Sequence, residues 1–217
     1  MDSDKEVIAS LIHATGNTIK YLTPENMDKF NLDRNSILLL VCKSPNCQTL
    51  LTKDVIRRVG PPFGPTRRYL VDFFVKNLED FEGFLTPRNI RTIRLNSDDV
   101  TRLIRASGDI EKYLTPENVD KFQLSSGYVG SLIKESGNIE KYLTPENIDK
   151  FQLEIEDVVN LIRASGNIEK YLTTENIDKF QLEIEDVVNL IRTSGNIEKY
   201  LTPENIDKFQ LKTEDVV

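Results

Sequence analysis

Apolar residues recur along the chain at helical intervals. Between Ile155 and Ser165, the positions Ile155, Val158, Leu161 and Ile162 fall at i, i+3, i+6 and i+7, lining one side of a helix. Gly166 follows, suited to the left-handed conformation that ends such a helix. Upstream, Thr144-Pro145-Glu146-Asn147 carries a helix start. Thr is a good N-cap, Pro is tolerated where its missing N–H costs nothing, and Glu meets the positive helix end. The pattern predicts helix A over Pro145 to Phe151, with Ile148 and Phe151 on one face, and helix B over Ile155 to Ser165. A short turn from Asn167 to Tyr171 then leads into the next threonine cap. No alternating strand pattern competes, so the reading is all-α.

The same unit returns along the chain. The aromatic of "EKYLTPEN" stands at Tyr113, Tyr142, Tyr171 and Tyr200, each 29 residues after the last. Phe84 lies one period before Tyr113, and Tyr21 and Leu50 are also 29 apart. The step from Leu50 to Phe84 is 34, and the five extra residues fall in "GPPFGPTRR", a loop by composition near 60–68. About seven apolar side chains per copy are too few to order a lone copy, so neighbouring copies must bury one another. The expected architecture is an α-solenoid of about seven 29-residue helical repeats, a right-handed array forming one domain over 1–217. Copies over 1–107 are degenerate and those over 108–217 near-identical. At the start, Lys5 stands where later copies carry an isoleucine such as Ile155, which reads as a polar cap. Glu214 to Val217 stop in the middle of a helix B, pointing to a longer natural chain, a shortened one, or a partner seated there.

Composition narrows the class. The chain is 39% apolar and 29% charged, has no tryptophan and carries a net charge of −7, which argues against wholesale nucleic-acid or membrane binding. The longest aliphatic run, Ile37 to Val41, is far short of a membrane span, and the polar start at Met1 to Glu6 is no secretory signal. Two cysteines cannot build a disulfide framework or, with a single histidine, a zinc site, so a reducing, cytoplasmic setting is expected.

Catalytic chemistry finds little footing. His13 occupies the register of Arg163 on the polar side of helix B and reads as an ordinary exposed residue. Paired acids such as Glu156 and Asp157 recur in the consensus copies and serve helix starts. No nucleophile elbow, zincin or phosphate-loop motif is present, so the chain reads as a non-enzyme without cofactor or metal. Cys47 aligns with Ile168 and should pack in the core, whereas Cys42 aligns with Arg163 and should be more exposed.

Charge is the informative feature. Residues 51–105 hold eleven Lys/Arg against seven acids, a local charge of +4, leaving −11 for the rest. Asp120, Asp149, Asp178 and Asp207 share one position of helix A, where the second and third copies carry Arg57 and Arg91. Arg88 replaces a glutamate such as Glu146, and Arg94 a glutamine such as Gln152. Stacked copies would set Arg57 beside Arg91, with Arg58, Arg88 and Arg94 close by, a surface suited to carboxylates or phosphates. Phe63, in the insertion beside them, is a further contact candidate. Stacked copies would give ladders of Lys121, Lys150, Lys179 and Lys208 beside the aspartates, and of Asn118, Asn147, Asn176 and Asn205, the asparagines finishing helix ends or linking copies. A groove for an extended basic peptide is the alternative.

The outline of "FQLEIEDVVNLIRASGNIEKYL" resembles the helical repeats of mitochondrial transcription termination factors. In "SILLLVCKSPNCQTLL", Pro45 stands where that family usually carries proline. Other copies have Gly108, Gly137, Gly166 or Gly195 there, and the family is basic where this chain is acidic. "LTPEN" also faintly resembles the start of the DNA-reading TAL-effector repeat, which is longer and carries a hypervariable pair absent here. These likenesses imply a curved helical array and no shared ligand. The leading expectation is a non-enzymatic protein–protein interaction scaffold for a partner with an acidic surface. Alternatives are nucleic-acid binding through the same arginines and the targeting arm of a larger enzyme. Near-perfect copies are also common in host-interaction proteins of pathogens, which would place the chain in a host cytosol.

Overall fold

The computed structural model describes residues 2–45, 47–60 and 64–211, all helices, turns and links, with no strand among them. The helices come in threes. The first three copies are α1 (Asp2–Ala14), α2 (Thr18–Tyr21) and α3 (Pro24–Lys29); α4 (Arg34–Lys43), α5 (Cys47–Leu50) and α6 (Lys53–Val59); and α7 (Gly64–Asn77), α8 (Phe81–Phe84) and α9 (Pro87–Ile93). Next follow α10 (Ser97–Ser107), α11 (Ile110–Tyr113) and α12 (Pro116–Phe122), then α13 (Ser126–Ser136), α14 (Ile139–Tyr142) and α15 (Pro145–Phe151). The last are α16 (Ile155–Ala164), α17 (Ile168–Tyr171) and α18 (Thr174–Phe180), then α19 (Ile184–Thr193), α20 (Ile197–Tyr200) and α21 (Pro203–Lys208). Each copy thus holds a helix B, a single-turn helix and a helix A.

Local chemistry explains the boundaries. In every copy a threonine (Thr23, Thr52, Thr86, Thr115, Thr144, Thr173 or Thr202) accepts a hydrogen bond from the amide three residues on, opening helix A. An asparagine of that first turn reaches back to the single-turn helix. Asn147 donates to the Lys141 carbonyl at 2.8 Å, and Asn26, Asn176 and Asn205 repeat the bond in their own copies. The asparagine ladder therefore finishes helix ends. Gly166 ends helix B at φ +69°, and Ser165 bridges the stop by donating to the Ile162 carbonyl and accepting from the Asn167 amide.

Two segments depart from expectation. The Asn167 to Tyr171 turn contains a true helical turn, Ile168–Tyr171, because Ile168 and Tyr171 are buried and anchor it. The insertion expected as a loop is largely helix: α7 starts at Gly64 and runs 14 residues. Its proline, Pro65, falls in the first turn, where no backbone bond is lost.

The packing divides into two units, one of residues 1–109 with 120–123, the other of 110–119 with 124–217. In the first, α1 packs on α4, α4 on α6 and α7, α7 on α10, and α5 on α8. In the second, α13 packs on α16, α16 on α19, and α15 on α18. Equivalent leucines, Leu40 and Leu103 in the first unit and Leu132, Leu161 and Leu190 in the second, fill these contacts and are buried. Cys47 is buried as expected, but so is Cys42. Neighbours flank α4 on both sides, and the Glu79 amide of the following link bonds the Cys42 carbonyl at 3.2 Å, closing over the position where Arg163 stays exposed. Burial pushes both thiols up, Cys47 to about 11 and Cys42 further. His13 is half-buried. Among the described residues, no helix is long and apolar enough to cross a membrane.

Candidate functional site

The arginines of the second and third copies sit on α6 and α9. Thr86 caps α9, accepting from the Asn89 amide at 3.2 Å, and the Asn89 side chain donates to the Phe84 carbonyl at 2.9 Å. Ile90 and Ile93 face the core, so Arg88 and Arg91, three apart, project outward and are exposed. Neither makes an ion pair among the described residues. Arg94 follows in the left-handed conformation at φ +57°, its amide closing the helix on the Ile90 and Arg91 carbonyls.

On α6, Val55 and Val59 are buried, and Arg57 points into solvent with its side chain 81% exposed. It pairs loosely, at 3.7 Å, with Asp54 in the same helix. Arg58 turns the other way and bonds Asp28 of the preceding copy. The packing that joins α15 to α18 has no counterpart of similar extent between α6 and α9 among the described residues. Phe63 lies outside the described residues.

Other basic residues of the same stretch are structural. Arg67 of α7 pairs with Asp99 of α10 at 3.1 Å, and Arg102 of α10 pairs back with Asp72 of α7. The two bonds clamp neighbouring B helices together, so two of the eleven cations are engaged by two of the seven acids and the net +4 rests on the other residues. A periodic signal could have located such partners. Arg58–Asp28, Arg102–Asp72, Lys141–Glu111, Lys170–Glu140 and Lys199–Glu169 each join a cation to the acid 30 residues before it. That spacing is one period plus one. Two lysines of the expected ladder, Lys150 and Lys179, pair within their own helices with Glu146 and Glu175.

The ladder of the second unit leaves marks on its acids and bases. Glu111 is held below the ordinary carboxylate range by the Asn138 amide and by Lys141. Lys170 is raised, first by its bond to Glu140. The aspartates of helix A behave differently. Asp149, Asp178 and Asp207 are exposed, and none has an ion pair among the described residues. A shallow cavity of about 570 Å³ lies between α13 and α16, where Gly127 and Gly130 replace the larger residues of other copies; Lys134, Asn160 and Arg163 also line it. Chemically, the molecule offers an exposed guanidinium pair on α9 and exposed carboxylates on α15, α18 and α21 that have no ion pair among the described residues. The chain matches no family model, no curated protein and no solved structure.

Proposed function

We propose that the seven copies stack as an α-solenoid and that the array is a non-enzymatic scaffold which presents α6 and α9 to an acidic protein surface. Within each unit, equivalent B helices pack on one another, as a solenoid requires. The observation that carries the contact surface is Arg88 and Arg91, exposed on one face of α9 without a described counter-charge, at positions where later copies hold acids. Neighbouring guanidinium groups repel unless something negative meets them, and their forked donors match carboxylates. Arg57 extends the surface from α6, Arg94 borders it, and Arg58 serves it less because Asp28 already engages it.

The test is capture by an immobilised poly-glutamate peptide at about 0.15 M salt, where only charges within roughly 8 Å of each other act strongly. Arg57→Glu/Arg91→Glu should abolish capture while far-UV circular dichroism keeps its helical signal. Undiminished capture by that variant removes these arginines from the contact surface. Capture of duplex DNA in preference to poly-glutamate, with affinity falling steeply as salt rises, transfers the surface to a nucleic-acid ligand.

A further inference from the structure

We infer that the acidic surface met by these arginines is carried by a second copy of the same chain, so that the protein associates with itself, basic face to acidic face. This rests on the reading of α9 as a contact surface and names its partner.

Two independent features of the molecule are complementary. Arg88 and Arg91 on α9 are exposed and without an ion pair among the described residues. Asp149 on α15, Asp178 on α18 and Asp207 on α21 are in the same condition with opposite sign. Two other exposed acids of these helices are engaged, Glu146 by Lys150 and Glu175 by Lys179, whereas Glu204 of α21 has no ion pair among the described residues. The aspartates thus stay free although lysines stand close in the chain. Because α15 packs directly on α18, Asp149 and Asp178 come from adjoining elements at the same position of helix A.

The wider charge follows the same division. Residues 51–105 carry +4, whereas residues 106–217 hold twenty-two acids against twelve bases, a charge of −10. Two chains of net charge −7 repel at long range. At about 0.1 M salt that repulsion fades beyond roughly 10 Å, leaving local complementarity to decide docking. Helix A is common to both faces, so an arginine pair on one chain meets carboxylates set at the same repeat position on the other. Such pairing is heterologous: each chain uses one patch as donor and a different patch as acceptor, and further chains can add.

Sedimentation velocity on the full chain tests this. The wild type should form dimers and larger species in a concentration-dependent manner at a low salt of about 0.1 M, where the repulsion between net charges is screened beyond roughly 10 Å. Its dissociation constant should rise at least tenfold, roughly, on going to about 0.3 M. Arg88→Glu/Arg91→Glu and Asp149→Arg/Asp178→Arg should each be monomeric at low salt. Mixed together they should associate again, because the retained acidic face of the first meets the retained basic face of the second, and the two reversed patches also complement each other. Circular dichroism confirms that both fold. A wild type that stays monomeric at low salt overturns the inference, as does unchanged self-association by either variant. Loss of self-association with retained poly-glutamate capture removes the self-pairing alone and leaves the scaffold reading intact.

Discussion

Nε of Arg67 lies 3.1 Å from Oδ2 of Asp99, whose side chain is only 6% exposed. Asp99 has two tasks at once. Its carboxylate accepts the Asn96 amide at 3.1 Å, while its own amide donates to the Asn96 side chain at 2.9 Å, closing a capping box at the start of α10. The ion pair joins that helix end to α7 of the preceding copy.

Asp99→Ala should therefore be costly. It leaves the guanidinium of Arg67, about a third exposed, without its acid and removes the carboxylate half of the capping box, while the Asn96 side chain still accepts the amide of residue 99. The expected loss is about 2–3 kcal/mol, below the range for a fully buried pair because Arg67 keeps some water. Arg57→Ala, at an arginine that is mostly in solvent, should change stability by less than about 0.5 kcal/mol. Urea unfolding of the two variants side by side measures the contrast; equal midpoints would show that the α7–α10 clamp contributes nothing.

Arg67 also shows where sequence reasoning stops. The helix boundaries of 145–151 could be read from Thr144 and Pro145, since capping chemistry is local. The repeat itself was plain from the tyrosine spacing. The helix beginning at Gly64 was hidden because Gly and Pro signal a loop, although Pro65 sits where a helix tolerates it. Arg67 and Arg102 could be counted only toward the local charge of 51–105, because their partners, Asp99 and Asp72, are 32 and 30 residues away. Arg88 and Arg91 were legible as exposed cations by register alone, since Ile90 and Ile93 claim the core face of α9. Cys42 was misjudged because register predicts polarity, and a thiol can be covered at a position where an arginine cannot.

Tyr171 gives the second prediction. The hydroxyl oxygen of Tyr171 is buried with no hydrogen-bond partner among the described residues. At the same register, Phe84 fills the space with no exposure at all. Tyr171→Phe should thus raise stability by about 1 kcal/mol, the cost of an unpaired buried hydroxyl. The pH response supplies a separate check. Burial raises the Tyr171 phenol above 10, against the lowering influence of Lys170, and burial raises Tyr200 likewise. Above pH 10 the unfolded chain loses these protons while the folded chain keeps them. Stability is then undiminished below pH 10 and falls as pH climbs through the folded values. Tyr171→Phe should make that alkaline fall shallower in urea titrations run across the window; an identical slope would mean the phenol is solvated.

Gln181 supplies the third. It holds φ +55°, left-handed, at the end of α18, as do Gln123, Gln152 and Gln210 at the same register, with Arg94 and Asn31 in the earlier copies. A side chain in this conformation costs about 1 kcal/mol, because its Cβ crowds the following carbonyl. Only the second copy meets the position with glycine: Gly60, at φ +100° and ψ +150°, lies where little else fits. Gln181→Gly should accordingly stabilise the chain by about 0.5 kcal/mol, the relief of strain less the extra freedom glycine gives the unfolded state. Gly60→Gln should destabilise it by about 2 kcal/mol. Thermal melts of the two variants should move in opposite directions from the wild type. If Gln181→Gly melts lower, the glutamine side chain contributes contacts that outweigh its backbone strain, and the left-handed stop is a stabilised feature of the repeat.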